Sequence, residues 1–347
     1  MAATADTGVS NRPDGDNSDW LAQVPEEVLE PELPICDPHH HLWDFEAHRY
    51  LLPDLLADVT SGHNVRSSVF IECTAMYRAE GPEELRSLGE TEFVNGAAAM
   101  SASGTYGPTR ACAAIVGFAD LSLGARVEAV LEAHLALSGG RFRGIRHISA
   151  YDPSGAIRRS HTNPPPKLLA EKRFREGFGR LGKLGLTFDA WLYHPQISEL
   201  TELARAFPEQ PIVLDHVGGP LGIGPYAGKR DEVFPPWRQA MGELARCPNV
   251  FVKLGGLGMK IIGYDFHKRP RPPGSEELAT LWRPYIETCI EAFTPARCMF
   301  ESNFPVDKVS GSYRVYWNTF KRLASGASAR DKAALFHDTA AAFYKLG

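Results

Sequence analysis

Three consecutive histidines follow a short apolar segment early in this sequence. Residues 33–36 (LPIC) lead into residues 37–41 (DPHHH), which predicts a buried strand that ends in imidazoles. Because alternate residues of a strand point to the same side, His39 and His41 share a face and His40 points away from it. Two converging imidazoles can hold a divalent metal or act as an acid–base pair. The internal position after an apolar strand favours this interpretation over a polar loop or a purification tag.

Other single polar residues stand inside or at the end of further apolar segments. Ionisable groups are costly in such places unless they are paired or functional. Glu72 and Arg146 each interrupt an apolar run, and His216 ends one at a Gly-Gly-Pro turn that lets backbone approach a ligand. Glu72 and Arg146 fit either a substrate-binding pair or a buried structural ion pair, whereas His216 is predicted to be functional.

The elements that position these residues alternate between strand and helix. Each strand segment is short and apolar or β-branched, and each is bounded by turn residues. Eight such units in one chain predict an α/β fold of the (β/α)₈ TIM-barrel type, in which chemistry lies at the carboxyl ends of the strands. An open doubly wound sheet is the rival, but no glycine fingerprint follows the first strand. The predicted strands are 33–41, 66–73, 111–118, 142–149, 187–193, 211–216, 249–255 and 297–304, and the predicted helices include 124–138, 168–182, 196–206, 236–246, 275–293, 313–324 and 329–345.

Composition restricts the class of partner. The chain has 347 residues, 44% hydrophobic and 23% charged, and a net charge of -5, so neither nucleic acid nor a membrane surface is an expected partner. Residues 1–32 begin polar and acidic and are predicted to form an arm, poorly ordered or draped on the surface of a single barrel domain at 33–347. Six scattered cysteines without a C-x-x-C pair fit a reducing cytoplasm. The expected partner is a small-molecule substrate, and monomer and homodimer both stay open.

Several of these segments resemble one known family. Asp-x-His-x-His at the first strand, LDHVGGP at 214–220 and SNFPV at 302–306 resemble the amidohydrolase superfamily, of the amidohydrolase-2 type. Within it, FRGIRH at 142–147 and FDAW at 188–191 are similar to the branch that contains 2-pyrone-4,6-dicarboxylate lactonase and sugar-acid lactonases such as L-fuconolactonase. The resemblance covers about residues 33–346.

The resemblance implies roles for individual residues. His39 and His41 match the histidine pair of the first strand and His216 the histidine of the sixth, which implies either one divalent metal (Zn or Mn) on these three residues or a metal-independent site. Arg146 matches an arginine of the family that is suited to binding a substrate carboxylate or lactone oxygens. Glu72, Tyr193 and Trp43 complete the expected substrate-binding set, although the two aromatic residues fit a core or lid position equally well.

The eighth strand departs from the family pattern. The family places an aspartate, as general base or metal ligand, where this chain has Asn303. An amide takes up no proton near neutral pH. Glu301 shares the inward face two residues earlier, and we expect it to replace the missing carboxylate, with Asp307 and Glu72 as the other candidates. Glu301 and Asn303 are both counted among the catalytic set.

Three functions follow from this set of residues. The first is hydrolysis of an ester or lactone in a small polar or carboxylated metabolite, with water activated by a metal or by carboxylate and histidine. The second is metal-dependent, non-oxidative decarboxylation of an aromatic or unsaturated acid. The third is a catalytically degenerate barrel that only binds a small molecule.

Overall fold

Eight parallel strands form a barrel in this computed structural model, which describes residues 15–45, 48–157 and 160–346. Each strand pairs with the next in chain order, so the predicted TIM-barrel fold is confirmed. Between the first and eighth strands, the amide of Asn303 donates to the carbonyl of His39 and that of His41 to the carbonyl of Phe304. The strands are β1 (Pro34–His40), β2 (Asn64–Ile71), β3 (Arg110–Gly117), β4 (Phe142–Arg146), β5 (Thr187–Ala190), β6 (Ile212–Leu214), β7 (Val250–Leu254) and β8 (Cys298–Phe300).

Helices surround the barrel. They are α1 (Ser18–Leu21), α2 (Leu52–Val59), α3 (Leu88–Ala102), α4 (Val127–Leu137), α5 (Lys172–Lys183), α6 (Ile197–Ala206), α7 (Arg230–Leu244), α8 (Ser275–Phe293), α9 (Tyr313–Leu323), α10 (Ala329–Ala333) and α11 (Thr339–Phe343). No helix among the residues described is both long and apolar enough to span a membrane.

Two predicted helices differ most from the structure. Helix α7 begins six residues before the predicted start at 236 and contains Pro235 and Pro236, which are unfavourable inside a helix, so the sequence gives no sign of its first turns. The final helix, predicted as one element over 329–345, is divided between α10 and α11 by a π-helical turn, Ala334–Asp338. A hairpin, Trp43–Phe45 with His48–Tyr50, was not predicted, because its strands are too short for an alternating pattern.

The bottom of the barrel is filled from inside and closed by the C-terminal helix. Inward side chains of several strands form a separate apolar cluster with Phe343 and Tyr344. The Tyr344 hydroxyl passes beyond this layer and donates to Asp189 Oδ2 at 2.6 Å. The apolar layer thus separates the polar residues at the carboxyl ends of the strands from the solvent below.

Residues 26–30, within the described part of the predicted arm, lie against helix α9. Asn318 donates to Glu26 Oε2 and to the Glu27 carbonyl and accepts from the Leu29 amide. Lys321 Nζ donates to the Leu29 and Glu30 carbonyls. These contacts hold the segment on the barrel. The prediction for residues 1–14 concerns residues outside the described part of the chain.

Removing the Asn318 side chain is expected to destabilise the protein. The variant Asn318→Ala deletes three partly buried hydrogen bonds and leaves the groups that made them without these partners, which we expect to cost about 1–3 kcal/mol in the free energy of unfolding. Urea denaturation measures this change. Gln239→Ala, at an exposed position of α7, is the control and should change the free energy of unfolding by less than about 0.5 kcal/mol. Equal effects of the two variants would show that the contacts of Asn318 with the arm contribute nothing to the free energy of unfolding.

Candidate active site

Glu301 lies between two histidines at the carboxyl end of the barrel. Its Oε1 accepts from His216 Nδ1 at 2.7 Å and from the His216 amide at 3.1 Å. Its Oε2 lies 2.9 Å from His39 Nδ1 but lacks an aligned hydrogen bond. All three side chains are buried. The structure therefore places Glu301 in contact with His39 and His216.

The partners of two histidines determine which ring nitrogen carries the proton. His41 Nδ1 lies 2.8 Å from the carbonyl of Ile71, which only accepts, so this nitrogen donates. His216 Nδ1 donates to Glu301 in the same way. In a neutral imidazole the other nitrogen, Nε2, then holds a lone pair that can bind a metal or accept a proton.

His39 is held between cationic groups. Its Nδ1 lies 3.2 Å from Lys253 Nζ and its Nε2 lies 3.3 Å from Arg146 Nη1. Burial and the charge of Lys253 lower the pKa of His39 well below its ordinary value. His39 is therefore a neutral imidazole, which has one N–H and one acceptor nitrogen. With the proton on Nδ1, 2.9 Å from Glu301 Oε2, Nε2 is the acceptor that faces Arg146, which suits a ligand rather than an acid.

The electrostatic environment keeps Glu301 ionised. Burial opposes its ionisation, but the His216 and His39 rings outweigh burial and lower the pKa of Glu301 to about 2. A carboxylate of such low pKa is a weak proton acceptor near neutral pH. Its contacts instead suit the orientation of the two imidazoles.

The backbone around His216 takes unusual conformations. His216 has φ 55° and Val217 φ 48°, a region that is uncommon for residues with a side chain and an outlier for a β-branched one. Gly256 approaches so closely that a Cβ there would lie 2.4 Å from His216 Cβ. The Gly-Gly segments after β6 and β7 thus permit the position of this imidazole.

Below the histidines, Lys253 joins two carboxylates. Its Nζ lies 2.6 Å from Asp189 Oδ2 and 3.0 Å from Asp215 Oδ1, and all three side chains are fully buried. Burial would lower the pKa of Lys253, but the two carboxylates more than offset it and raise the value. This buried cluster fixes Lys253 beneath His39.

Arg146 is held in place by Glu72. Its Nε donates to Glu72 Oε1 at 2.8 Å, and its Nη2 donates to the carbonyl of the same residue. The remaining nitrogen, Nη1, faces His39 and lies 3.7 Å from Asp215 Oδ2. The pair is therefore a buried ion pair that also aims one guanidinium nitrogen at the histidines, and its role in substrate binding stays a prediction.

The residues present fit a divalent cation. His39, His216 and Glu301 each offer a ligand atom within 4.8 Å of the others, and imidazole and carboxylate are ligands that zinc and manganese take. Glu301 Oε2 is a buried acceptor without a hydrogen-bond partner. Among the described residues this group contains Glu301 rather than His41, which differs from the predicted set of His39, His41 and His216.

Asn303 pairs with a neighbouring carboxyl group. It adopts φ 53°, which asparagine tolerates better than most residues. Its Nδ2 donates to Asp307 Oδ1 at 2.8 Å, while its Oδ1 is buried with no hydrogen-bond partner among the residues described. Burial raises the pKa of Asp307 well above its ordinary value. The amide therefore serves as a donor beside a buried acid, a role that an ionised aspartate cannot fill.

Restoring the family's aspartate is expected to destabilise this protein as the pH rises. In Asn303→Asp two buried carboxyl groups replace the donor–acceptor pair, and such a pair retains a proton that the unfolded chain has released above about pH 4. The folded state then binds more protons, so the free energy of unfolding falls with pH. Denaturation midpoints at pH 5 and pH 8 measure this; a loss of stability that is the same at both pH values, relative to wild type, would contradict it.

Aromatic rings lie on both sides of the histidines. Trp43 stacks on His41 with ring centres 5.8 Å apart, and Trp191 contacts His216 edge-on at 4.6 Å. Tyr193 packs against Trp191, so it lies one ring away from His216. Trp43 and Tyr193 are both buried and enclose the site, and their role in substrate binding stays a prediction.

Comparison with known proteins identifies the family. The amidohydrolase family profile matches residues 36–346 of this chain. The chain belongs to the amidohydrolase family. It is therefore an enzyme of the hydrolase type, built on the amidohydrolase barrel.

Individual amidohydrolases are similar over nearly the whole chain. An uncharacterised protein of Sinorhizobium fredii, y4mH, is 34% identical over 91% of this chain and 99% of its own length. An L-fucono-1,5-lactonase of Burkholderia multivorans is 25% identical over 89% of this chain and 95% of its own. The crystal structure of a Burkholderia multivorans amidohydrolase with bound zinc is similar in fold, with a TM-score of 0.68 and 24% identity over 90% of this chain and 99% of that one.

Sequence reasoning missed two residues near this site. Tyr344 reaches Asp189 from the last helix, and no local pattern indicates that. His161 lies in a proline-rich loop without a strand or helix pattern, yet its Nε2 lies 3.6 Å from Glu72 Oε2. The signal for both was absent because each contact joins elements that are far apart in the chain.

Proposed function

We propose that this amidohydrolase hydrolyses the cyclic ester bond of a small polar lactone. The supporting observation is the His216–Glu301 pair beside a guanidinium nitrogen that reaches the histidine cluster. A carboxylate behind an imidazole fixes its tautomer and stabilises the imidazolium that forms when the imidazole takes a proton. The likeness to L-fucono-1,5-lactonase supports the same bond type.

In this mechanism His216 acts as the general base. Its Nε2 accepts a proton from water, and the resulting hydroxide attacks the lactone carbonyl. Arg146 Nη1 donates to the developing oxyanion, and a charge-assisted donor of this kind stabilises the transition state. When the ring C–O bond breaks, the imidazolium returns its proton to the leaving alkoxide, so that the product is a hydroxy acid.

Glu301 and Asn303 take roles that differ from the sequence-based expectation. Glu301 orients His216 and His39 instead of accepting the proton itself, because its pKa is low. Asn303 offers its unpartnered Oδ1 as an acceptor for a hydroxyl group of water or substrate. Lys253 holds His39 in place from below.

A divalent metal, Zn or Mn, would be held by His39, His216 and Glu301. When bound, it would supply Lewis-acid polarisation of the carbonyl and lower the pKa of water. With a metal bound, His216 would be a ligand and would not act as the base, so the general-base route belongs to the metal-free protein. Elemental mass spectrometry of untagged protein, purified without chelator, distinguishes the two routes, and about one Zn or Mn per chain would make His216 a ligand. His216→Ala should reduce the content at least about tenfold, as expected for the loss of one of three protein ligands, while His337→Ala, a partly exposed histidine of the π turn, should not; equal content in both would exclude this metal site.

Product analysis tests the proposed reaction. Purified protein is incubated with L-fucono-1,5-lactone, 2-pyrone-4,6-dicarboxylate and 5-carboxyvanillate, and products are identified by mass spectrometry. Addition of one water to either lactone supports the proposal. Loss of carbon dioxide from the aromatic acid would instead establish a decarboxylase, and binding without turnover of any of the three would favour the degenerate barrel.

A further inference from the structure

A cavity of about 560 Å³ opens beside the site, between the carboxyl ends of β2, β3 and β4 and the loop before α5. Phe118, His147 and His161 form part of its wall, and the Phe118 ring meets both imidazoles edge-on at 5.3 and 5.2 Å. Its volume lies in the range of ordinary ligand pockets. Nothing in the proposed lactone chemistry uses this space.

The cavity adjoins the reacting centre through a continuous chain of contacts. His161 Nε2 lies 3.6 Å from Glu72 Oε2, Glu72 Oε1 accepts from Arg146, and Arg146 Nη1 faces His39. Glu72 is fully buried and its Oε2 has no hydrogen-bond partner. A group in this cavity would therefore lie next to the residue that positions Arg146.

Two further polar groups, the Tyr77 hydroxyl and His147 Nε2, lie at the cavity wall. The Tyr77 hydroxyl is buried without a hydrogen-bond partner. The Leu121 amide donates to His147 Nδ1 at 3.2 Å, so the proton of the neutral ring is on Nε2, which is then a donor. Burial lowers the pKa of His147 to about 4, which agrees with a neutral ring. A donor, an acceptor and a hydroxyl around an aromatic wall suit a ring that carries several hydroxyl groups.

Charge at the rim disfavours an anionic occupant. Among the residues that the structure describes, Glu83, Glu84 and Asp120 line the cavity together with one guanidinium, that of Arg86. A carboxylate on the ligand would face an excess of like charge, whereas hydroxyl groups can donate to these oxygens.

We propose that this cavity is a second substrate subsite, which binds a neutral, polyhydroxylated ring attached to the lactone. The inference rests on the proposed function, and it means that the natural substrate is larger than a single ring. The attached ring contacts Tyr77, His147 and His161, while the lactone lies at His216 and Arg146. Substrates that fill both positions should be preferred.

Kinetics with two lactones test the subsite. Cellobiono-1,5-lactone carries a glucosyl ring that glucono-1,5-lactone lacks, and we expect its kcat/KM to be at least about tenfold higher, a difference that corresponds to about 1.4 kcal/mol. Leu123→Trp, which fills the cavity, should abolish this preference and leave hydrolysis of glucono-1,5-lactone unchanged. Leu135→Trp, at a similarly half-buried leucine of α4 outside the cavity, is the matched control and should keep the preference. Tyr77→Phe should reduce the preference several-fold without filling the cavity.

A binding measurement separates failure of the subsite from failure of the lactonase proposal. Ligand-observed NMR should detect methyl β-D-glucopyranoside on the wild type and on Leu135→Trp, but not on Leu123→Trp, whether or not any lactone is hydrolysed. Methyl β-D-glucuronide should bind more weakly. Equal kcat/KM for the two lactones in the wild type, glycoside binding that survives Leu123→Trp, or a preference for the glucuronide would each overturn the proposal.

Discussion

Glu301→Gln is expected to reduce kcat for lactone hydrolysis about 10³- to 10⁴-fold, by comparison with loss of the carboxylate behind a catalytic histidine in a serine protease. Glutamine keeps the shape of the side chain but not its charge, so the imidazolium of His216 loses its counter-ion in the transition state. The substitution also replaces one carboxylate oxygen by an amide NH₂ group. One of the two imidazoles, that of His216 or His39, then faces a donor in place of the carboxylate oxygen that it faces in the wild type. Because the chemical step is affected, KM should change much less than kcat.

A charge-preserving variant separates the two contributions of Glu301. Glu301→Asp keeps the negative charge but withdraws it from the imidazoles, so its kcat should lie between those of the wild type and Glu301→Gln. Thermal unfolding verifies that both variants fold. A folded Glu301→Gln protein with wild-type kcat would eliminate the His216–Glu301 pair from the mechanism.

Arg146→Lys is expected to lower kcat/KM about 10²- to 10³-fold, the effect of losing one oxyanion donor. Lysine retains the charge, so Glu72 keeps a cationic neighbour and the fold should persist. It lacks the planar fork that contacts both Glu72 Oε1 and the Glu72 carbonyl while a third nitrogen faces His39. Steady-state kinetics with L-fucono-1,5-lactone or the best lactone of the product screen measures the loss.

Arg143 provides a matched control on the same strand. It lies three residues before Arg146, and its Nη1 donates to the carbonyls of Gly140 and Phe142, away from the histidines. Arg143→Lys should therefore change kcat/KM by less than about threefold, which is within the range of an ordinary surface substitution. Equal losses in the two variants would indicate a general effect on β4 and contradict the role proposed for Arg146.

The barrel and most of its strand positions could be predicted from the sequence, because they depend on local patterns. The predicted strand segments overlap all eight observed strands, since short apolar runs bounded by turns are a period-2 or fully buried signal that each segment carries by itself. The hairpin after β1 and the π turn before α11 were not predicted. Both are shorter than the window over which periodicity can be recognised.

The sequence by itself determined the family, the barrel and the positions of His39, His216, Arg146 and Glu301, because a parallel barrel brings the carboxyl ends of its strands to one face. Only the tertiary structure decided which of these side chains contact one another. It placed Glu301 between two imidazoles, paired Asn303 with Asp307 and brought His161 to Glu72. Distances and hydrogen-bond directions between residues far apart in the chain depend on strand register and loop path, which no local pattern encodes.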